Sequence, residues 1–127
     1  MGVPADLRYT RDHEWLRIEG DVATIGITEY AAGELGDVVF VELPEVGSSV
    51  EQAATFGVVE SVKAVSDLFA PVGGEVVGRN EELASRPELV NSEPFGEGWM
   101  IRVRLEDAGQ VDELLDSEAY GRLTTET

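Results

Sequence analysis

Lys63 is the only lysine in a chain of 127 residues that carries eight arginines, and it stands in the run Val59-Glu60-Ser61-Val62-Lys63-Ala64-Val65-Ser66-Asp67. A primary amine on a flexible four-carbon stem can be acylated under biological conditions, whereas the guanidinium of arginine serves as a permanent charge. Two readings of this single amine stand side by side. It is a chemical handle on a surface that offers no competing one, or it is what a coding preference for arginine left behind. The other reactive side chains narrow the chemistry. There is no cysteine, which excludes disulfides, thiolate metal sites and thiol nucleophiles. His13 is the sole histidine, so neither a metal centre nor a histidine-based triad can be assembled, and no metal is expected. The glycines do not fall in a G-x-G-x-x-G or Walker pattern, so no phosphate loop is expected. What remains is one amine among 26 acidic residues.

The elements around Lys63 have to present it. Thr55 to Val62 reads as one strand running up to the lysine, and Ala64 to Ala70 as a second running away, closed by Pro71 and Gly73-Gly74. With no Gly or Pro at the tip, the pattern predicts an ordinary type I-like turn, not a primed one, and Lys63 pointing into water. Trp15 to Ile18 and Val22 to Ile27 make a hairpin across Glu19-Gly20-Asp21. Thr28 is placed to cap a helix over 29–35, with Gly36 suited to its left-handed end. Val38 to Leu43, stopped by Pro44, is the strongest candidate for a buried strand. Short helical possibilities surround Glu81 and Glu88. Trp99 to Leu105 alternates, which places Trp99, Ile101, Val103 and Leu105 inward. Apolar spacing from Val111 to Tyr120 predicts a helix on the surface. The expected architecture is mainly β, with short helices and a C-terminal helix. It forms a single domain over 1–127, with a core over about 7–105 and a helical tail over about 110–122.

A net charge of −17 repels phosphates and anionic lipid, so neither nucleic acid nor a membrane surface is an expected partner. It suits docking onto basic patches of other proteins. No apolar run approaches membrane-spanning length. The opening Met1 to Arg8 has neither a signal-peptide core nor the look of a transit peptide, so the expected location is the cytoplasm.

A lysine at a tight hairpin tip in a small β domain is the design of a swinging-arm carrier, in which two strands fix the backbone while the side chain and its cargo sweep between partners. Gly57-Val58-Val59-Glu60-Ser61-Val62-Lys63-Ala64 resembles the lipoyl-lysine motif of the glycine cleavage system H protein family. The resemblance extends to His13-Glu14-Trp15, Ala23 to Thr28, Leu35 to Pro44 and Gly96 to Met100, and covers about Leu7 to Tyr120. Biotin carriers, with Met-Lys-Met at the tip, and the shorter, linker-tethered lipoyl domains, with Asp-Lys-Ala, are less similar.

The resemblance implies a flattened barrel or sandwich hybrid of the lipoyl/biotinyl carrier type, with lipoate in amide linkage on Lys63. It implies a modifying lipoyl or octanoyl transferase, or lipoate ligase, that reads the tip through Glu60, Ser61, Val62 and Ala64. It implies a carrier, not an enzyme. The carrier takes an aminomethyl group from a pyridoxal-phosphate glycine decarboxylase and delivers it to a tetrahydrofolate-dependent aminomethyltransferase. Dihydrolipoamide dehydrogenase then reoxidises it. An aminomethyl cargo bears an ammonium, and pairing it with a carboxylate in a pocket would protect it. The resemblance places Glu14 and Asp67 near the arm, with Asp12 third. A protein that visits several active sites is expected to be a monomer. Two alternatives stand beside this reading: a lipoate relay supplying 2-oxo acid dehydrogenases, and an interaction module that keeps the fold but not the use of Lys63.

Overall fold

The structure, a computed structural model, describes residues 4–125. Among these residues nine strands form two sheets. The larger has the order β1 (Arg8–Tyr9), β2 (Glu14–Glu19), β3 (Val22–Ile27), β9 (Ile101–Leu105), β8 (Gly74–Arg79), β5 (Ser49–Val50); the smaller is β4 (Val38–Glu42), β6 (Thr55–Ser61), β7 (Val65–Phe69). All pairings are antiparallel. Alternation supplies the core between the sheets: Leu16, Ile25 and Ile27, Ile101 and Val103 from the larger, and Val41, Val59 and Leu68 from the smaller, are all buried. This is the flattened two-sheet architecture that the family resemblance implies.

Helix α1 (Glu29–Leu35) runs as expected from Thr28, whose hydroxyl accepts the Ala31 N–H at 3.2 Å, a cap worth about 1 kcal/mol. It ends on Gly36 at φ 81°, where the Gly36 N–H returns to the Ala32 carbonyl. The two helical turns anticipated near Glu81 and Glu88 are α2 (Glu82–Ser85) and α3 (Leu89–Ser92).

Three sequence expectations change. Val38 to Leu43 is not a fully buried strand: a register shift between Val38 and Phe40 turns both Val39 and Phe40 outward, about half exposed. Trp99 lies outside β9 and is only partly buried, with the Arg102 guanidinium 4.0 Å from its ring, while Met100 is fully buried in its stead. Met100 and Ile101 are consecutive and both fully buried, so strand alternation does not extend back to Trp99. The tail is also different. Residues Ala108–Glu113 form a 3-10 helix, and the α-helix α4 occupies Ser117–Thr125. Its Tyr120 is buried, stacked on Tyr9 with ring centroids 4.6 Å apart. Beside it Trp15 lies across Gly26, where a Cβ would stand 2.8 Å from the indole, and its Nε1–H donates to the Pro94 carbonyl at 2.8 Å. A second, aromatic cluster thus joins the tail to β1 and β2.

Candidate functional site

Lys63 sits at the tip of the β6–β7 hairpin, in the turn Val62-Lys63-Ala64, and is exposed. The last strand pair is Glu60 with Val65. Ser61 then closes the turn: its Oγ accepts the N–H of Lys63 at 3.3 Å and of Ala64 at 3.1 Å, and its own N–H donates to the Ala64 carbonyl at 2.8 Å. No residue of the turn has positive φ, so it is unprimed, as its lack of glycine demands. A further bond, from the Val62 N–H to the Asp37 carbonyl at 3.1 Å, ties the tip to the segment between α1 and β4. The backbone carrying the lysine is therefore held on both sides, while Val62 and Val65 are about two-thirds exposed. Glu60 is half-buried between Phe40 and Val65 in the sheet register.

The lysine stem lies over the end of α1. A Cβ placed on Gly36 would stand 3.4 Å from the Lys63 Cε, so the glycine leaves the stem its path. From there the wall of α1, through Leu35, Glu34, Ala31 and Tyr30, leads into a cleft of about 310 Å³. Its opposite wall is Val59 with Ser66, Asp67 and Leu68, and its end is Asp12, His13 and Glu14. The three carboxylates singled out in the sequence thus meet here, but in unlike settings. Glu14 is buried at 2% exposure. Its Oε1 accepts the Thr10 hydroxyl at 2.6 Å and its Oε2 the Phe69 N–H at 3.2 Å. Burial pushes its carboxyl up to about 7, against those two hydrogen bonds and with some help from the Asp12 charge. Asp12 is exposed at the cleft end. Asp67 borders the cleft, yet its register opposite Val58 puts its side chain on the face of β7 away from Ser66 and Leu68, in solvent.

His13, Tyr30, Glu34, Ser66 and Tyr120 carry no site expectation from the sequence, yet four of them line the cleft and Tyr120 backs it. His13 stands at φ 70°, lies against Tyr30 with ring centroids 4.7 Å apart and planes tilted by 34°, and its Nδ1 lies 2.8 Å from the Tyr120 hydroxyl. Burial pushes its imidazole below the usual range, although Asp12 and Glu34 pull it upward. The spacing of Tyr30 and Glu34 on one helix face was the signal available for α1. Nothing local marks Tyr120 as a neighbour of His13. Among the described residues no group of three or more His, Asp or Glu side chains is placed to hold a metal ion.

An exposed lysine on a braced hairpin tip of a two-sheet β fold, with an acid-lined cleft beside its stem, defines a carrier of a covalently attached swinging arm. The family model described as glycine cleavage H-protein matches residues 7–127. Glycine cleavage system H proteins of Magnetococcus marinus and Bacillus cereus are 58% and 55% identical to this chain. The first match covers 94% of this chain and 86% of its relative, the second 99% of each. The crystal structure of a glycine cleavage system H protein from Mycobacterium marinum superposes with a TM-score of 0.85 at 43% identity, over 94% of this chain and 97% of that one. The chain belongs to the glycine cleavage H-protein family. It is accordingly a lipoyl carrier of the glycine cleavage system, a non-catalytic subunit whose partners include the glycine decarboxylase and the aminomethyltransferase. No helix among the described residues is long and apolar enough to cross a membrane.

Proposed function

We propose that lipoate is joined in amide linkage to Lys63 and that the cleft between α1 and β7 receives the loaded arm. The observation that carries this reading is the placement of the chain's one lysine amine at an exposed tip whose backbone is fixed by Ser61 and Asp37. The residues present fit the group: the amine is free to be acylated, and its stem passes Gly36 toward the cleft mouth. When bound, lipoate supplies the disulfide–dithiol pair that takes up and releases the aminomethyl group of glycine.

The chain's own residues do three things. Ser61 and the Val62–Asp37 bond hold the tip so that the modifying transferase or ligase meets one conformation, with Glu60, Ser61, Val62 and Ala64 as the recognised flank. Glu14 holds a cleft carboxyl poised near neutrality, which ionises when a cation enters because the nearby positive charge favours the carboxylate. Asp12 and Asp67 add negative charge at the rim. The apolar wall of Ile27, Leu35, Val59 and Leu68 excludes water from the paired charges. The finer partner set follows from the same reading: dihydrolipoamide dehydrogenase for reoxidation, basic docking surfaces on each partner, and a monomeric carrier in the cytoplasm. Neither the lipoate relay nor the silent interaction module is favoured by the family to which the chain belongs.

The experiment is the intact mass of the protein from its native host, with peptide mapping across Lys63. A lipoyl adduct on Lys63 is the expected result. An unmodified Lys63, in cells whose other lipoyl proteins are modified, overturns the attachment site.

A further inference from the structure

The tail helix α4 reaches the carrier cleft through one buried hydroxyl, and the hydrogen-bond inventory there fixes the state of the chain's only histidine. The Thr28 hydroxyl, 1% exposed, accepts the Ala31 N–H. Its own proton has to be given to an acceptor, and its other side-chain partner among the described residues is the Tyr120 oxygen at 2.7 Å. The Tyr120 proton is then left for His13 Nδ1 at 2.8 Å. His13 Nδ1 must therefore be the bare nitrogen, with the imidazole proton on Nε2. Protonating Nδ1 would place two hydrogens in that contact. The alternative is to reverse the chain and leave the buried Thr28 proton without an acceptor.

The surroundings pull the other way. Asp12 and Glu14 flank His13 on its own segment, Glu34 and Tyr30 face it from α1, Tyr120 faces it from α4, and Asp67 borders the cleft from β7. An imidazole among those carboxylates would take up a proton if it were free to do so. An imidazolium there would pair with Asp12 and Glu34 and repel an incoming ammonium. The hydroxyl relay prevents this.

We propose that Tyr120 is a positioning residue of the carrier cleft: its hydroxyl, oriented by Thr28, holds His13 neutral with the proton on Nε2, so that the carboxylates stay available to a cationic cargo. The proposal rests on the cleft reading above. It makes α4 a working part of the carrier, not a surface appendage. The helix is anchored for that purpose by the Tyr9–Tyr120 stack and by the reciprocal backbone bonds of Tyr9 and Leu115, both 2.8 Å.

The test is nitrogen NMR of the imidazole in unmodified wild-type protein and in Tyr120→Phe, which keeps the ring and its stack, joined to the lifetime of the loaded form against pH. The wild type should show the Nε2–H tautomer and titrate below the usual imidazole range, because burial disfavours the imidazolium. In Tyr120→Phe the tautomer preference should be lost and the titration should move upward by about one unit. The loaded form of the variant should then decay about threefold faster than wild type near pH 6, and at close to the wild-type rate near pH 8. A wild-type imidazole protonated on Nδ1 overturns the relay, and this readout needs no variant to fold. So does a titration that Tyr120→Phe leaves in place. If the titration moves but the lifetime at low pH does not, the cargo does not dock beside His13. The cleft reading itself then falls, while the hydrogen-bond relay stands.

Discussion

The hairpin tip and the cleft are neighbours joined by Gly36, yet they are built on opposite principles. The tip is assembled from residues adjacent in sequence, is exposed, and owes its shape to short-range bonds from Ser61. The cleft gathers the segment 12–14, α1, β6 and β7, and is supported from behind by α4, the last element of the chain. The tip presents a group to large partners and needs access. The cleft shelters a small charge and needs burial, and it bears the cost in Glu14, a carboxyl withdrawn from water and raised to about 7. A carrier has to do both, and the division assigns the two tasks to separate structures with separate vulnerabilities.

The largest effect belongs to the tip. Lys63→Arg preserves charge at an exposed position, so stability should change by no more than about 0.5 kcal/mol. Carriage should vanish, because a guanidinium cannot form the amide. Aminomethyl transfer assayed with purified partner enzymes would measure this, and any transfer through the variant would refute the swinging arm.

Next comes the cleft, where function and stability should move in opposite directions. Glu14 has a folded-state pKa of about 7 against 4.5 for the free side chain. Between those values the unfolded chain has lost a proton that the folded chain keeps, so the folded state loses stability as pH rises through the window. The loss is complete above about pH 7 and amounts to about 3 kcal/mol. Glu14→Gln removes this dependence. Its stability relative to wild type should therefore grow by about 2–3 kcal/mol between about pH 5 and pH 8, as followed by urea denaturation. The same variant lacks the anion, so its loaded form should decay about tenfold faster at the higher pH. A loaded form that lives as long as wild type would remove Glu14 from the carrier role.

Legibility in the sequence follows the same divide. The hairpin with Lys63 at its tip, the unprimed turn, and α1 with its Thr28 cap and Gly36 end all depend on near neighbours, and each was readable from residue type and spacing. The resemblance to a family pointed to Glu14, but nothing in the sequence showed that it would be buried while Asp67 stayed in solvent, since this depends on strand register. Val39 and Phe40 were misread as core because a register shift leaves no compositional mark. His13 and Tyr120 are 107 residues apart, and no periodicity connects them. The 3-10 segment displaced the tail helix toward the C-terminus, which is what brings Tyr120 over Tyr9 and into reach of the cleft.

The smallest effect should come from Asp67, and it sharpens the contrast most. Asp67 and Ser66 are consecutive and both border the cleft, but they occupy opposite faces of β7, with Asp67 on the outer, solvent-facing one. An exposed carboxylate acts through water and salt, where an ion pair is worth at most about 1 kcal/mol. Asp67→Asn should shorten the lifetime of the loaded form by no more than about twofold, an effect that disappears in high salt because exposed charges are screened. The measurement is the decay of the loaded form at low and high ionic strength beside Glu14→Gln. If Asp67→Asn matches Glu14→Gln, and does so regardless of salt, the arm lies over the outer face of the small sheet with Phe40 and Val65. The buried carboxyl at the cleft end would then be a structural group whose raised pKa has no part in holding the cargo.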